Sequence, residues 1–406
     1  MAVIRPFRAV RPDAANAAAV SSVPYDVVST EEARQLASND PLSFLHVTRS
    51  EIDLPSDTDP YSADVYARAA QNFAQLRASA PLVTEAEPTL YLYRLRMNGH
   101  EQVGVAGCFS VDEYERDVIK KHERTRRDKE DDRTRHIIEL RAQTGVVFLA
   151  YKAAPAVSAI VPALMSRAPL YDFTASDGVQ HTIWKADAKQ SAELMDVFSR
   201  IPALYIADGH HRAASAARAR EELRARGNVG DADTFIAVAF PDDQVQILPY
   251  NRIVKDLAGN TPAGFVSALR EKGIPVHDGR PDPPAKRHVS MYLGGKWYDL
   301  DLSEAHPGER SHAAALDVAR LQHHVLEPLL GIGDVRTDKR IDFIGGARGS
   351  AALEAAVDQG RAAVAFAMYP VTIDDLISIS DEGGIMPPKS TWFEPKLRDG
   401  LLIHVI

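Results

Sequence analysis

The chain has 406 residues, of which 45% are hydrophobic and 25% charged, a composition typical of a globular protein with two or three domains. Its net charge of -9 disfavours a general nucleic-acid binder, and no apolar run reaches the roughly 18 residues that a membrane-spanning helix needs. The single cysteine, Cys108, excludes an internal disulfide, and Met1 to Pro6 lack the layout of a signal peptide. We therefore expect a cytoplasmic protein with no membrane contact and no nucleic-acid partner.

Residues 1–111 predict an α/β layer of their own. Helices are expected over 30–38, capped by Ser29 or Thr30, and over 62–79. Strands over 90–97 and 102–111 form a predicted β-hairpin, because the Asn98-Gly99 pair between them is the strongest short hairpin signal.

Residues 112–272 alternate helices and strands, as in an α/β layer. The pattern predicts helices over 128–143, 156–165, 192–200 and 213–226, and strands over 145–151, 181–185 and 235–240. The last of these strands carries no polar residue and is expected to be buried on both faces.

A proline-rich connection over 273–287 precedes a third α/β portion, 288–406. Its pattern predicts strands over 289–293, 341–344 and 363–369, and helices over 316–330, over 351–359 and from Thr372 onward. The sequence as a whole thus predicts a mixed α/β fold in three parts, 1–111, 112–272 and 288–406.

The most informative segment is an apolar run that ends in Asp208-Gly-His-His-Arg212, just before an alanine-rich helix. The free N–H groups and the dipole of a helix N-terminus attract anions, and Gly209 allows a ligand to approach the backbone. Arg212 is a candidate bidentate partner for a phosphate. The alternative is structural: Asp208 caps the helix, Gly209 makes the turn, and the remaining side chains are solvated.

A second cluster, Lys120 to Arg127, lies in an expected loop between a strand and a helix. Glu123 is the one carboxylate in this segment, and basic and imidazole groups surround it. These groups favour its ionised form and make it a candidate proton acceptor. A charged surface loop is the alternative interpretation.

A third segment, Met386 to Thr391, contains Lys389, Ser390 and Thr391 as candidate phosphate ligands. It lacks the spacing of a P-loop and holds two prolines, so a turn is favoured on sequence alone.

Adjacent histidines in a helix point about 100° apart and cannot share one metal. A divalent-ion site stays an alternative if one of the two, His210 or His211, acts together with Asp208 and a ligand from a distant part of the chain.

Six ordered motifs resemble the domain-of-unknown-function family 1015. They are Val23-Pro-Tyr-Asp-Val27, Lys121-His-Glu-Arg-Thr125, Tyr205-Ile-Ala-Asp-Gly-His-His-Arg212, Leu248-Pro-Tyr-Asn-Arg252, Leu326-Glu-Pro-Leu-Leu330 and Met386-Pro-Pro-Lys-Ser-Thr391. The middle part is also similar to a group that includes ParB-type proteins, sulfiredoxins and free serine kinases. In those kinases a His-Glu element precedes an Asp-Gly-His-x-Arg element, and the resemblance implies a ParB/sulfiredoxin-like core.

The same resemblance implies phosphoryl transfer from ATP, ADP or pyrophosphate to the hydroxyl of free L-serine or a similar small compound. Its catalytic residues would be Glu123 as the base, Asp208 as the residue that positions substrate or Mg²⁺, and His210. The other residues expected to bind phosphate or substrate are Tyr25, Asp26, His122, Thr125, Arg126, Gly209, His211, Arg212, Arg252, Lys389, Ser390 and Thr391.

Two other functions stay open at this point. One is a ParB-like, nucleotide-switched DNA binder, which the acidic net charge and the lack of a recognisable helix-turn-helix disfavour. The other is a non-catalytic sensor of a phosphate-bearing ligand. A sulfiredoxin-like reductase is discounted, because it needs a cysteine in the phosphate motif and Cys108 lies far from it in sequence.

Overall fold

The computed structural model describes residues 2–79, 82–304 and 309–406. They form two compact units, one of Met1–Val245 with Pro395–Ile406 and one of Gln246–Glu394. Within the described ranges, no helix combines the length and the apolar character needed to cross a bilayer.

The strands of the described residues are short, most of them two to six residues long. In chain order they are β1 (Ile4–Arg5), β2 (Val10–Pro12), β3 (Leu82–Thr84), β4 (Tyr91–Met97), β5 (His100–Ser110), β6 (Ile119–Lys120), β7 (Ala142–Gln143), β8 (Val147–Tyr151), β9 (Tyr171–Thr174), β10 (Gln180–Lys185), β11 (Leu204–Asp208), β12 (Thr234–Pro241), β13 (Gln246–Leu248), β14 (Tyr250–Val254), β15 (Val276–Asp278), β16 (His288–Leu293), β17 (Lys296–Asp301), β18 (Ile341–Gly345), β19 (Val364–Ala367), β20 (Trp392–Glu394) and β21 (His404–Val405).

The helices range from single turns to four turns. In chain order they are α1 (Ala17–Val20), α2 (Thr30–Ala37), α3 (Leu45–Thr48), α4 (Ala63–Ala78), α5 (Val111–Glu115), α6 (Arg127–Leu140), α7 (Pro155–Ser158), α8 (Val161–Met165), α9 (Ala188–Phe198), α10 (His210–Ala225), α11 (Pro262–Glu271), α12 (Asp317–Leu321), α13 (Glu327–Leu330), α14 (Gly349–Asp358) and α15 (Ile373–Asp381). Short 3-10 turns lie at Ser50–Asp53, Asp242–Gln244 and Gly346–Arg348, and a π-helical turn, Gln322–Leu326, joins α12 to α13.

A nine-stranded mixed sheet carries the first unit, in the order β6-β11-β8-β12-β5-β4-β10-β9 with β1 also paired to β5. Strand β12 is buried along its whole length, between the antiparallel β5 and the parallel β8. Helix α10 packs its alanine-rich face into the core, where Ala213, Ala216 and Ala219 are almost fully buried. Small side chains on this helix let it lie close to the sheet.

The second unit is built on an antiparallel sheet of six strands in the order β15-β17-β16-β19-β14-β18. Strands β13 and β20 form a separate two-stranded ribbon in the same unit. Its core cluster includes Ile253, Tyr292, Leu353 and Ala365, so α14 covers one face of the sheet.

The prediction of a mixed α/β fold is confirmed. Ser29 caps α2 through a capping box with Glu32, as its sequence indicates. The predicted hairpin is formed by β4 and β5, with Asn98 and Gly99 both at positive φ (52° and 83°).

Three predicted helix boundaries are wrong for identifiable reasons. The helix expected from 213 begins at His210, because Gly209 makes the turn before it. The helix expected to reach 143 ends at Leu140, where Arg141 adopts a left-handed conformation and β7 follows. The helix expected over 156–165 is divided into α7 and α8, with Pro162 in the first turn of the second.

The compact units also differ from the predicted division into 1–111, 112–272 and 288–406. Strand β5, from the first predicted part, pairs with β12 from the second over six residue positions. Because the first and second predicted parts share one sheet, residue 111 is not a domain boundary. The change of unit falls instead at 245, just after the 3-10 turn that follows β12.

Candidate functional site

Two neighbouring parallel strands bring the Glu123 loop beside the Asp208 motif. Strand β6 pairs with β11 in parallel, with Ile119 opposite Leu204 and Lys120 opposite Tyr205. The loop 121–126 follows β6, and Gly209 with α10 follows β11. Because the carboxyl ends of adjacent parallel strands lie at the same edge of a sheet, the two motifs meet there.

Gly209 is the residue that turns β11 into α10. Its φ of 95° is left-handed, and a Cβ on it would lie 3.2 Å from an Nη atom of Arg212. No side chain caps the helix, so Asp208 does not act as the cap that the alternative interpretation assigned to it. The N–H groups of His210, His211 and Arg212 precede the first helical hydrogen bond, which Ala213 donates to Gly209.

The two histidines of the motif hold the Glu123 loop. The N–H of His122 donates to Nε2 of His210 at 3.4 Å, and the N–H of Arg126 donates to Nε2 of His211 at 3.0 Å. The His122 ring also contacts the His210 ring edge-on, with 4.4 Å between centroids. His210 is therefore buried rather than solvated, and both histidines act as hydrogen-bond acceptors for the loop.

The same contacts make these imidazoles neutral. A ring nitrogen that accepts an N–H carries no proton, so in each ring the proton sits on Nδ1. Burial lowers the pKa of His122 to about 4, and burial together with the neighbouring His122 holds the pKa of His210 well below its ordinary value. Burial also lowers the pKa of His211. At neutral pH none of the three rings adds positive charge to the site.

Arg212 is buried and bound to carboxylates of the protein. One Nη atom lies 3.1 and 3.2 Å from the two carboxylate oxygens of Asp26 and 3.6 Å from Asp208, and the other donates to the carbonyl of Val146. Burial alone would lower its pKa, but Asp26 and Asp208 raise it. In this structure Arg212 is thus paired with Asp26 through one Nη atom that faces both carboxylate oxygens, whereas Asp26 was expected to bind phosphate or substrate.

Lys396 is a site residue that the sequence analysis missed. Its Nζ lies 3.2 Å from Oδ2 of Asp208, because the C-terminal segment from Pro395 onward belongs to the first unit. Burial would raise the pKa of Asp208, but Lys396 and Arg212 together hold it well below its ordinary value. Asp208 is therefore ionised at neutral pH with two cations beside it.

Asp399, three residues after Lys396, is a second missed residue. It is buried, and its backbone forms a bridge with Ser22, just before the Tyr25-Asp26 motif. Burial raises its pKa to about 7 against the attraction of Arg212. The C-terminal segment thus ties the N-terminal motif to Arg212.

The other predicted residues of this unit lie around the same edge. Glu123 is half-buried in its loop. Thr125 donates to the Glu130 carboxylate, and Arg126 is exposed and paired with Asp128 at 2.7 Å. The ring of Tyr25 is covered by the guanidinium of Arg133, and burial raises its pKa.

Four predicted residues lie in the second unit, where they form a cluster of their own. Arg252 is buried and donates to the carbonyl of Lys389 at 3.0 Å, and burial lowers its pKa to about 10. The hydroxyl of Ser390 donates to the carbonyl of Pro387, in agreement with the turn favoured from the sequence, and Thr391 directly precedes β20. The structure therefore joins the motifs at 248–252 and 386–391 to each other.

The donor set does not fit a resident magnesium ion. In the part of the chain that the structure describes, no three His, Cys, Asp or Glu side chains are grouped so that they can hold a metal. Mg²⁺ favours one or two carboxylates together with substrate phosphates. Asp208 supplies one carboxylate, whose charge Lys396 and Arg212 already offset.

Comparisons with known proteins identify a family without an assigned activity. The model of the family described as "Protein of unknown function (DUF1015)" matches residues 4–319. No curated protein matches the chain.

Similar solved structures are distant. SbnI with a C-terminal truncation, from Staphylococcus aureus, is 13% identical with a TM-score of 0.40, and the match covers 74% of this chain and 87% of that chain. A free serine kinase in complex with AMP is 12% identical with a TM-score of 0.37, and the match covers 74% and 91%. A conserved hypothetical protein from Pyrococcus furiosus is 12% identical with a TM-score of 0.36, and the match covers 74% and 95%. Likenesses at this level carry no argument about function.

Replacement of Gly209 by alanine is expected to destabilise the first unit more than the same change at Gly227. Both glycines have left-handed φ, 95° and 70°, which costs a residue with a Cβ roughly 1–2 kcal/mol. Only at Gly209 does the new Cβ also come into close contact with the Arg212 side chain, which Asp26 and Val146 hold in place. Gly227 has open space around its Cβ position. Urea unfolding of both variants measures the difference. Equal losses would show that contact with Arg212 adds nothing.

Replacement of Lys396 by methionine is expected to lower the free energy of unfolding at pH 7 by about 1 kcal/mol, because the half-buried Asp208 carboxylate loses one of its two cationic partners and keeps Arg212. The folded pKa of Asp208 lies below its unfolded value of about 3.9, so this stabilisation is present above pH 4 and is lost as the pH falls further. Urea unfolding between pH 3 and 7 checks both points.

The matched control is Lys189→Met, which removes an exposed ion pair with Glu193. It is expected to change stability by less than about 0.5 kcal/mol at any of these pH values. If the loss of unfolding free energy in the Lys396→Met variant is the same at pH 3 as at pH 7, the stabilisation by Lys396 does not depend on the ionisation of Asp208.

Proposed function

We propose that this chain, which belongs to the DUF1015 family, is a phosphotransferase that acts on the hydroxyl group of a small molecule, with free L-serine as the first candidate acceptor. The observation that supports this most is the attachment of the Glu123 loop to the N-terminus of α10. Hydrogen bonds from the N–H groups of His122 and Arg126 to His210 and His211 hold the loop that carries Glu123 against the N-terminus of α10, and helix N-termini attract anions.

The reaction needs two things that this arrangement supplies. Phosphoryl transfer depends on alignment of acceptor and donor and on compensation of charge on the transferred group. The N–H groups of His210, His211 and Arg212 and the helix dipole would receive the phosphate oxygens, and Lys396 would add a full positive charge.

Glu123 would act as the base. It would take the proton of the acceptor hydroxyl while that oxygen forms a bond to the terminal phosphorus of the donor. The bond from this phosphorus to the bridging oxygen of the donor breaks, and the remainder leaves as ADP, AMP or inorganic phosphate, according to whether the donor is ATP, ADP or pyrophosphate.

Asp208 would orient the acceptor. An ionised carboxylate repels phosphate but binds an ammonium group, which L-serine carries next to its hydroxyl. Lys396 and Arg212 reduce the repulsion between Asp208 and a phosphate held nearby. The role proposed for Asp208 is therefore contact with the amino acid. A Mg²⁺ ion would enter with the donor, and no step here depends on it.

Purified protein with L-serine, Mg²⁺ and each donor in turn is expected to form O-phosphoserine, detected by phosphorus NMR. Omission of L-serine controls for hydrolysis of the donor. Absence of product with all three donors, despite measurable nucleotide binding, would contradict the transferase and favour a sensor. Salt-dependent binding of duplex DNA in place of turnover would favour the ParB-like alternative.

The Glu123→Gln variant is expected to lower kcat by roughly 100-fold or more, because loss of a general base costs that much, while the KM for the donor stays within a few-fold. Glu139→Gln, an exposed carboxylate on α6, is the control and is expected to leave both constants unchanged. Equal kcat values for the two variants would remove Glu123 from the mechanism.

A further inference from the structure

A pocket of about 430 Å³ lies in the first unit and shares no lining residue with the candidate site. It is open to solvent on one side and is lined by the end of α4, the end of β3, the segment before β2 and the C-terminal strand β21. Its volume falls within the range of small-molecule sites. Phe7, Val10 and Pro88 form apolar walls, and the polar lining comes from Arg8, Arg77, Thr84, Asp231 and His404.

The buried imidazole of His404 carries a positive charge. Its Nδ1 lies 3.3 Å from Oε1 of Gln143 and its Nε2 lies 3.1 Å from Oδ2 of Asp231. The Gln143 amide is fixed in this orientation, because its Nε2 donates to the Thr234 carbonyl and its Oε1 accepts the N–H of Ile236. Both ring nitrogens of His404 therefore face acceptors, and only the doubly protonated ring can donate to both.

This charge cancels the one carboxylate of the pocket. Burial would lower the pKa of His404, but Cys108 and Asp231 raise it to about 10, so the ion pair with Asp231 persists at neutral pH. Arg8 and Arg77 then remain as two uncompensated cations. Both are exposed, and within the described residues neither forms an ion pair. The guanidinium of Arg77 lies 5.7 Å from the centroid of the Phe73 ring.

We propose that this pocket is a second ligand site, which binds a small organic phosphate through Arg8 and Arg77. Two guanidinium groups match a dianionic phosphate in charge and offer paired N–H donors to its oxygens, and the Thr84 hydroxyl adds a further donor. The apolar walls and the remaining volume accommodate the organic part of the ligand. The site is independent of the proposed transferase activity.

Calorimetric titration at low ionic strength tests this site. The probes are glycerol 3-phosphate as a phosphate monoester, inorganic phosphate, and succinate as a dicarboxylate of similar size. Glycerol 3-phosphate is expected to bind saturably and more tightly than the other two. Arg8→Ala and Arg77→Ala are each expected to weaken its binding about 10-fold, the usual effect of one charged hydrogen-bond partner.

Arg226→Ala, at the exposed end of α10, is the control and is expected to bind all probes as the unaltered protein does. The double variant Arg8→Ala/Arg77→Ala is expected to lose this site and to retain nucleotide binding, which separates it from the candidate active site. No saturable binding of the monoester, binding that the double variant keeps, or succinate binding as tight as that of the monoester would each overturn the proposal.

Discussion

The site depends on two backbone N–H groups that donate to imidazole nitrogens. The bonds from His122 to His210 and from Arg126 to His211 join chain positions 88 and 85 residues apart. Strands β6 and β11 bring the two segments to the same edge of the sheet, but only two residue pairs form that ladder. The histidines therefore attach to the start of α10 a loop that strand pairing holds only at its beginning.

This use of the histidines decides their charge. A histidine whose Nε2 accepts an N–H is uncharged, and burial at the helix N-terminus opposes protonation further, because the positive end of the dipole repels a second positive charge. Acid that protonates His211 would remove its acceptor and release the loop at Arg126. The electrostatics of the site and the position of Glu123 are thus coupled through the same two rings.

Residue chemistry and turn signals in the sequence predicted the parts of the site that are local. Gly209, the helix that follows it and the loop around Glu123 are visible as short patterns, and parallel pairing of β6 with β11 brings them together. The start of α10 was misplaced by three residues, since a histidine pair carries no capping signal. Lys396 and Asp399 escaped prediction because nothing near them marks a site. Lys396 contacts Asp208 across 188 residues, and its local sequence, Pro395-Lys-Leu397, carries no motif.

The tertiary contacts also change where positive charge for an anion comes from. From the sequence, the motif offers an arginine and two histidines. In the folded chain Arg212 is committed to Asp26 and Val146, and the imidazoles are neutral. What remains for a phosphate is the helix N-terminus, with roughly half an elementary charge, and the ammonium group of Lys396. Because Lys396 is held by Asp208, a phosphate bound in the proposed reaction would compete with that carboxylate for it. The same competition would free Asp208 to bind the cationic acceptor proposed above, so donor and acceptor binding would support each other at this pair.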